Sequence, residues 1–281
     1  MTTGVLQRLD RAQRDRASLA VAVATVKKFS DDQSSNLAAM IAFWAFFSVF
    51  PLFLVLVTLL AIFLPTGEKN SVLGHIAQMF PLLDPKTVSG LSGAWWTIVL
   101  GLATALWSGS GVVRTAQFAF NTVWGTAPDQ QPGLVQQVKR SILVLATVGS
   151  GLVLTTFVSG LLASSTSGVN LGALGRVGGY VLSAALNVGI FVAAFRILTD
   201  RHVTTHDVLP GALLSGIAFF VLQVLSTLII SRYLKNAQSS YGHFATVITI
   251  LWWFYLQALI TMLGAQLNVV LKQHDYPRSL T

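Results

Sequence analysis

Polar side chains within apolar stretches are the residues of this sequence that could do chemistry, and four of them share one helical face near the C-terminus. Gln257, Thr261, Gly264 and Asn268 follow one another at intervals of three or four residues. At about 100° per residue, this spacing places all four on one side of a helix. Such a face could line a polar path through a membrane. It could equally pack closely against a second helix, with the amides forming hydrogen bonds across the contact.

A proline inside another apolar stretch marks a second candidate site. Pro51 lies in the run "FWAFFSVFP". A proline in a helix removes one hydrogen bond and clashes with the carbonyl four residues earlier, here that of Phe47, so we expect a kink. Ser48 is predicted to take up the freed carbonyl. The kink is either plain architecture or a hinge beside a substrate path.

Arg114 is a third candidate because it is the one basic residue between positions 94 and 124. It lies about one membrane thickness from Trp95, so its long side chain could reach the lipid headgroups. It is therefore either an interfacial anchor or an attractor of anionic headgroups. The complete set of candidate path or ligand-binding residues is Ser48, Pro51, Arg114, Asn187, Tyr241, Gln257 and Asn268.

Several kinds of chemistry are disfavoured by the sequence. All 10 acidic residues lie outside the long apolar stretches, whereas proton-coupled pumps usually keep a carboxylate at membrane depth. We therefore expect an activity that is insensitive to the proton gradient. His202 and His206 have helical i, i+4 spacing, but no third metal ligand is nearby in sequence. We predict no metal, no cofactor and no catalytic site, and we interpret the segment as a solvated loop ending at Asp207, the N-cap of the next helix.

The elements that carry these residues are predicted to be membrane helices. Apolar residues make up 53% of the 281-residue chain and charged residues 10%, with a mean hydropathy of +0.68. Six stretches are long enough for about 20 residues to cross the hydrocarbon core as a helix. They cover residues 37–64, 94–113, 141–163, 177–198, 209–231 and 245–267. The predicted fold is all-α, a polytopic membrane protein with six transmembrane helices.

The distribution of basic residues predicts the orientation. With the N-terminus inside, the inner segments hold 13 of the 18 lysines and arginines and the outer loops hold 5. This asymmetry predicts that both termini are cytoplasmic. It also assigns the net charge of +8 to contact with membrane lipids rather than with nucleic acid. Residues 1–36 are predicted to form a basic cytoplasmic segment with an interfacial helix, 37–271 the membrane domain, and 272–281 a short cytoplasmic tail.

Four segments resemble the YihY/BrkB family of bacterial inner-membrane proteins. They are "AAMIAFWAFFSVFPLFLVLVTLL", "LWSGSGVVRTAQFAFNTVWG", "DVLPGALLSG" and "YGHFATVITILWWFYLQALITMLGAQLN", in the order expected for the family. The resemblance implies six membrane helices, a plasma-membrane location and a link to envelope integrity or host resistance. Some family members carry an older ribonuclease label, but these segments offer no nuclease site.

The family usually has the sequence Gly-Ala-Glu near the C-terminal end, and this chain has Gln266 in place of that glutamate. We predict that Gln266 is an interfacial residue near the cytoplasmic end. A glutamate there should be tolerated, because it could reach water or pair with Lys272. Asn268, which matches the family, is the better site candidate of the two.

Two functions follow from these observations. The first is the movement or flipping of an envelope lipid or small solute through a cavity between helices. The alternative is a non-transporting scaffold or assembly factor for envelope integrity. In it, helix faces of small residues, such as Gly175, Gly179 and Ser183, would dock partners, including a second copy of the chain. An enzyme is disfavoured because the sequence shows no catalytic constellation.

Overall fold

The computed structural model describes residues 17–63, 95–126, 133–163, 172–241 and 244–278. These residues form helices, and the described part of the chain contains no strand. The helices are α1 (Ala17–Asp31), α2 (Ser34–Phe63), α3 (Trp95–Val123), α4 (Leu134–Ala163), α5 (Gly172–Leu198), α6 (Thr205–Tyr241) and α7 (Phe244–Gln273). The predicted all-α class is confirmed for this part of the chain.

Each of the six predicted apolar stretches coincides with one helix, from α2 to α7. Among the described residues, four segments are long and apolar enough to cross a bilayer. They are Ser34–Pro51, Val177–Leu198, Thr205–Gln223 and Val247–Gln273. The chain therefore has the helices of a membrane protein, and the number of six spans stays a prediction.

The outward-facing side chains fit this conclusion. Trp107 is 63% exposed and Val181 is 64% exposed, and large apolar residues of α4, α5 and α6 are exposed as well. Soluble monomers rarely present such extended apolar surface to water. In lipid, the exposure of these side chains is not unfavourable, because hydrocarbon chains are as apolar as the side chains themselves.

Two compact units divide the chain. Unit 1 comprises the described residues of Met1–Ile41, Val113–Thr227 and Tyr255–Thr281, and unit 2 those of Ala42–Val112 and Leu228–Phe254. In unit 1 the core includes Phe120, Phe195 and Met262, and the rings of Phe120 and Phe195 lie 5.3 Å apart. In unit 2 Trp44 lies directly on Gly111, where an added Cβ would be only 2.3 Å from the indole.

Helix α1 lies within residues 1–36, the segment in which an interfacial helix is predicted. Ala20, Ala24 and Lys28 are buried at intervals of four residues, so one face of α1 packs against the rest of unit 1. Asp32 and Gln33 then form a polar turn, in which Gln33 adopts a positive φ of 50°. The turn brings the acidic end of α1 next to the first residues of α2.

Candidate functional site

Three polar clusters lie at one end of unit 1. At this end α1, α3, α5 and α7 finish and α2, α4 and α6 begin. We call it the basic end, after Lys28, Arg140, Arg196, Arg201 and Lys272. Because residues distant in sequence meet here, the basic end is the place where the fold assembles polar side chains.

The first cluster joins α1, α2, α3 and α7. The Lys28 ammonium donates to the Asp32 carboxylate at 2.5 Å and to the Val123 carbonyl at 3.1 Å. The Gln266 amide donates to the same Asp32 oxygen at 2.9 Å and to the Ser34 hydroxyl at 2.7 Å. Lys28 is 7% exposed and Gln266 is fully buried. A buried ammonium and a buried amide thus share the partly buried Asp32 carboxylate and tie the N-terminal turn to the end of the last helix.

The access to water predicted for Gln266 is therefore wrong. Its side chain has 0% exposure, and its Oε1 atom has no hydrogen-bond partner among the described residues. Lys272, the expected partner of a glutamate at this position, instead donates to the Asp207 carboxylate at 2.8 Å. The tolerance predicted for Gln266→Glu loses both of its reasons, since neither water nor Lys272 is available.

The second cluster fixes the connection between α5 and α6. The Asn121 amide donates to the Asp200 carboxylate, and the Asp200 backbone N–H returns a hydrogen bond to Asn121 Oδ1 at 3.1 Å. The Arg140 guanidinium forms an ion pair with the other Asp200 oxygen. The Asp200 side chain is only 8% exposed, so its charge is neutralised by Arg140 in a largely buried position. Sequence analysis missed this cluster because its members come from three separate segments.

The third cluster caps α6, and it corrects the predicted N-cap. Thr204, not Asp207, is the N-cap: its backbone N–H donates to the Asp207 carboxylate at 2.9 Å, and Asp207 N–H points back to the Thr204 hydroxyl at 3.4 Å. This reciprocal pair is a capping box with the acidic residue three positions into the helix. Asp207 also accepts from Lys272, so the start of α6 is bound to the end of α7.

A pocket of about 530 Å³ opens beside the second cluster. Arg140 of α4, Arg196 of α5 and the loop residues Arg201 and His202 provide its polar lining. The apolar part comes from Gly189, Val192, Ala193, Ile197 and Val203. Because Asp200 is held by Asn121 and Arg140, the loop that carries Arg201 and His202 is anchored at the pocket wall.

Two of the predicted candidates make contacts between helices of unit 1. Asn187 is 1% exposed and donates from Nδ2 to Gln223 Oε1 at 3.2 Å, which links α5 to α6. Asn268 is 1% exposed and accepts from the Gly211 backbone N–H at 2.6 Å, which links α7 to α6. These bonds favour the packing interpretation for both amides. Gln257 is half-buried on α7, and its backbone carbonyl accepts from the Thr261 hydroxyl.

The remaining candidates are divided between the units. Arg114 is half-buried on α3 in unit 1, whereas Ser48, Pro51 and Tyr241 belong to unit 2. Ser48 donates to the Ala45 carbonyl at 2.7 Å, so its predicted bond to the carbonyl freed by Pro51 is wrong. Pro51 lies inside the continuous helix α2. Tyr241 is the last residue of α6, and its side chain is outside the described residues.

The two histidines of the predicted loop do not form a metal site with other residues in the described structure. His202 and His206 are both exposed. No group of three histidine, cysteine, aspartate or glutamate residues that could hold a metal ion occurs in the part of the chain that the structure describes.

Comparison with known proteins identifies the family. The sequence profile of the family described as virulence factor BrkB matches residues 25–280. YfkH, a ribonuclease-like protein of Bacillus subtilis, is 24% identical over 261 residues, which cover 87% of this chain and 92% of that protein. A UPF0761 membrane protein of Azotobacter vinelandii is 25% identical over 254 residues, which cover 86% of this chain and 60% of the relative.

A third relative, a UPF0761 membrane protein of a Janthinobacterium species, is 27% identical over 245 residues, covering 83% of this chain and 52% of its own length. The chain therefore spans between half and two thirds of the UPF0761 relatives it matches. No solved structure shows a significant match. Since the family profile covers nearly the whole sequence, the chain belongs to the virulence factor BrkB family of membrane proteins.

Proposed function

We propose that this protein moves or flips an envelope component or a small solute through a cavity between its helices. The observation that carries the proposal is the pocket at the basic end. Its volume of about 530 Å³ lies within the range of small-molecule sites, and its lining combines an apolar wall with a few polar groups. A membrane scaffold needs no such pocket, whereas a carrier needs a place where its cargo enters.

We place the basic end on the cytoplasmic side of the plasma membrane, with both termini inside. The excess of lysine and arginine in the predicted inner segments supports this orientation. Reporter fusions after Arg16 and after Lys272 would test it, since both should report a cytoplasmic location. Two fusions that report the outside would reverse the orientation and place the pocket at the opposite face.

Reconstitution into liposomes tests the movement of lipid. The probes are fluorescent phosphatidylglycerol and phosphatidylcholine, and dithionite added outside bleaches only the outer leaflet. In protein-free liposomes about half of the signal should persist. A lipid-flipping protein should let the remaining signal decay, because inner-leaflet probe keeps reaching the outside. Decay no faster than in protein-free liposomes, for both probes, would contradict lipid flipping.

We further expect this movement to be independent of the proton gradient. Transport coupled to protons usually requires a titrating group along the path, and the sequence places no carboxylate in the predicted spans. The liposome assay should therefore give the same rate with and without an imposed pH difference. A rate that follows the gradient would require a proton carrier along the path and would refute this part of the proposal.

A non-transporting scaffold, which could include a second copy of the chain, remains the alternative because some glycines face open space. An added Cβ at Gly149 of α4 or at Gly178 of α5 would meet nothing within 4 Å. Small residues on an exposed helix allow another helix to approach closely. Since the chain has no cysteine, Gly178→Cys provides a unique crosslinking site. A disulfide-linked dimer in the membrane, together with no lipid movement, would favour the scaffold.

Enzymatic activity forms no part of the proposal, because the sequence shows no catalytic constellation. The ribonuclease-like name belongs to the Bacillus relative.

A further inference from the structure

The pocket at the basic end has an excess of positive charge. Arg140, Arg196 and Arg201 line it, and the lining carboxylate is Asp200. Three guanidiniums against one carboxylate leave a formal charge of +2 before any contribution from His202. Arginines crowded around a pocket repel one another, so an anion placed among them would relieve that repulsion.

The arginines differ in how far the protein uses them. Arg140 is committed to Asp200 by its ion pair. Arg196 uses one nitrogen to donate to the Thr205 hydroxyl at 3.0 Å, and its side chain is exposed. Arg201 is exposed in the loop. A guanidinium has five N–H donors, so Arg196 keeps donors for a ligand after its bond to Thr205.

A simpler explanation accounts for only part of this arrangement. Arg196 lies in the last turn of α5, where a cation interacts favourably with the negative end of the helix dipole. Exposed arginines also anchor membrane proteins at the headgroup level. Neither effect explains why Arg196 and Arg201 line the same concave surface beside the Arg140–Asp200 pair.

The apolar wall indicates the rest of the ligand. Gly189, Val192 and Ala193 precede Arg196 on one side of α5, with the helical spacing of three or four residues. From Gly189 to Arg196 the wall extends about 10 Å along the helix axis, at 1.5 Å per residue. The pocket is therefore basic at the loop and apolar along α5.

From these observations we infer that the pocket binds a phosphate group, with Arg196 and Arg201 as its ligands and the wall of Val192 and Ala193 against any attached chain. A phosphate presents three acceptor oxygens and matches the forked donors of two arginines better than a single carboxylate does. The phosphate belongs either to the headgroup of a membrane amphiphile or to a soluble molecule. This inference deepens the proposed function by naming the class of ligand that enters the pocket.

Calorimetric titration of the purified full-length protein in a non-ionic detergent tests the inference. The probes are a short-chain phosphatidate, inorganic phosphate and the diacylglycerol with the same chains. Replacing Arg196 and Arg201 together by glutamine should raise the Kd for phosphatidate at least tenfold. The control replaces Lys27 and Lys139 by glutamine, which removes the same charge outside the pocket and should change the Kd less than twofold.

A second pair of variants leaves every charge in place. An added Cβ at Gly189 meets nothing within 4 Å, so Gly189→Phe starts from open space and adds a ring at the pocket wall. Gly178 lies on the same helix, is equally open and does not line the pocket, which makes Gly178→Phe the matched control. We expect Gly189→Phe to raise the Kd for phosphatidate at least fivefold and Gly178→Phe to leave it unchanged.

The outcomes separate the sources of the phosphate. Phosphatidate binding at least tenfold tighter than inorganic phosphate assigns an amphiphile, and comparable binding assigns a soluble phosphate. Both support the inference, provided that the pocket variants weaken binding and their controls do not. The inference is overturned if pocket and control variants weaken binding equally, or if none of them changes it. It is also overturned if diacylglycerol binds as tightly as phosphatidate. Because no transport is measured in this titration, a protein that binds phosphatidate but moves no lipid refutes lipid flipping and leaves the phosphate site in place.

Discussion

The contact between α6 and α7 permits a worked prediction, because it depends on the absence of one side chain. An added Cβ at Gly264 would lie 2.6 Å from the Gly211 carbonyl oxygen and 2.0 Å from the Ser215 hydroxyl. The hydroxyl can turn away at the cost of its bond to the Ile260 carbonyl. The backbone oxygen cannot turn away, so Gly264→Ala must push the two helices apart.

The expected loss of stability follows from two effects. Overpacking a close contact costs about 1–3 kcal/mol. Moving the helices apart also stretches the buried 2.6 Å bond from Gly211 N–H to Asn268, and an orphaned buried donor costs about 1–3 kcal/mol. Alanine gives back about 1 kcal/mol through its higher helix propensity. The net loss for Gly264→Ala should therefore be about 1–5 kcal/mol.

Unfolding by titration with a denaturing detergent, followed by tryptophan fluorescence, measures this loss. Gly178→Ala is the matched control, because it makes the same change on a helix where an added Cβ meets nothing within 4 Å. The control should be unchanged or slightly more stable. If Gly264→Ala unfolds at the same detergent fraction as Gly178→Ala, the close approach of α6 and α7 is not as described, and the reasoning fails.

Three further predictions use the same assays. Lys28→Met should lower stability by about 1–3 kcal/mol, because it removes the cation from the partly buried Asp32 carboxylate. Lys27→Met, on a more exposed side chain, should change stability by less than about 0.5 kcal/mol, and similar losses in the two variants would show that the Lys28–Asp32 pair is unimportant. Gln266→Glu should destabilise the protein, because it removes two N–H donors and sets a second carboxylate against Asp32, and adding Asp32→Asn should recover part of the loss in the same titration. Arg114→Lys should slow lipid movement in liposomes if Arg114 uses forked hydrogen bonds, and an equal rate would mark it as an ordinary anchor.

The helices could be predicted from sequence because their signal is local. An apolar run of about 20 residues has to form a helix in lipid, whatever its neighbours are. The cap of α6 is also local, but two chemically suitable residues, Thr204 and Asp207, compete for the N-cap position. A search for a Thr followed three residues later by an acidic residue would have found the capping box.

The polar clusters could not be predicted, because their signal is not local. Asn121 and Asp200 are 79 residues apart, and Gln266 is 234 residues from Asp32. Each residue taken alone is an unremarkable polar group near the end of a helix. Only the arrangement of the helices in unit 1 brings them together, so burial and partners appear first in the structure. For Asn187 and Asn268 the sequence was misleading in another way. Their position within predicted spans suggested a polar path, whereas their hydrogen bonds join neighbouring helices.

The first cluster explains how this chain accommodates a glutamine where the family pattern has a glutamate. Lys28 requires an anion, and Asp32 supplies it from the turn between α1 and α2. With that charge in place, the position in α7 needs donors rather than another acceptor, and Gln266 provides two N–H bonds, to Asp32 and to Ser34. A glutamate would turn a neutral pair into a cluster with one excess negative charge in a buried site, which is costly without a second cation. Recovery of Gln266→Glu by Asp32→Asn would show that this cluster tolerates one carboxylate, whichever of the two segments supplies it.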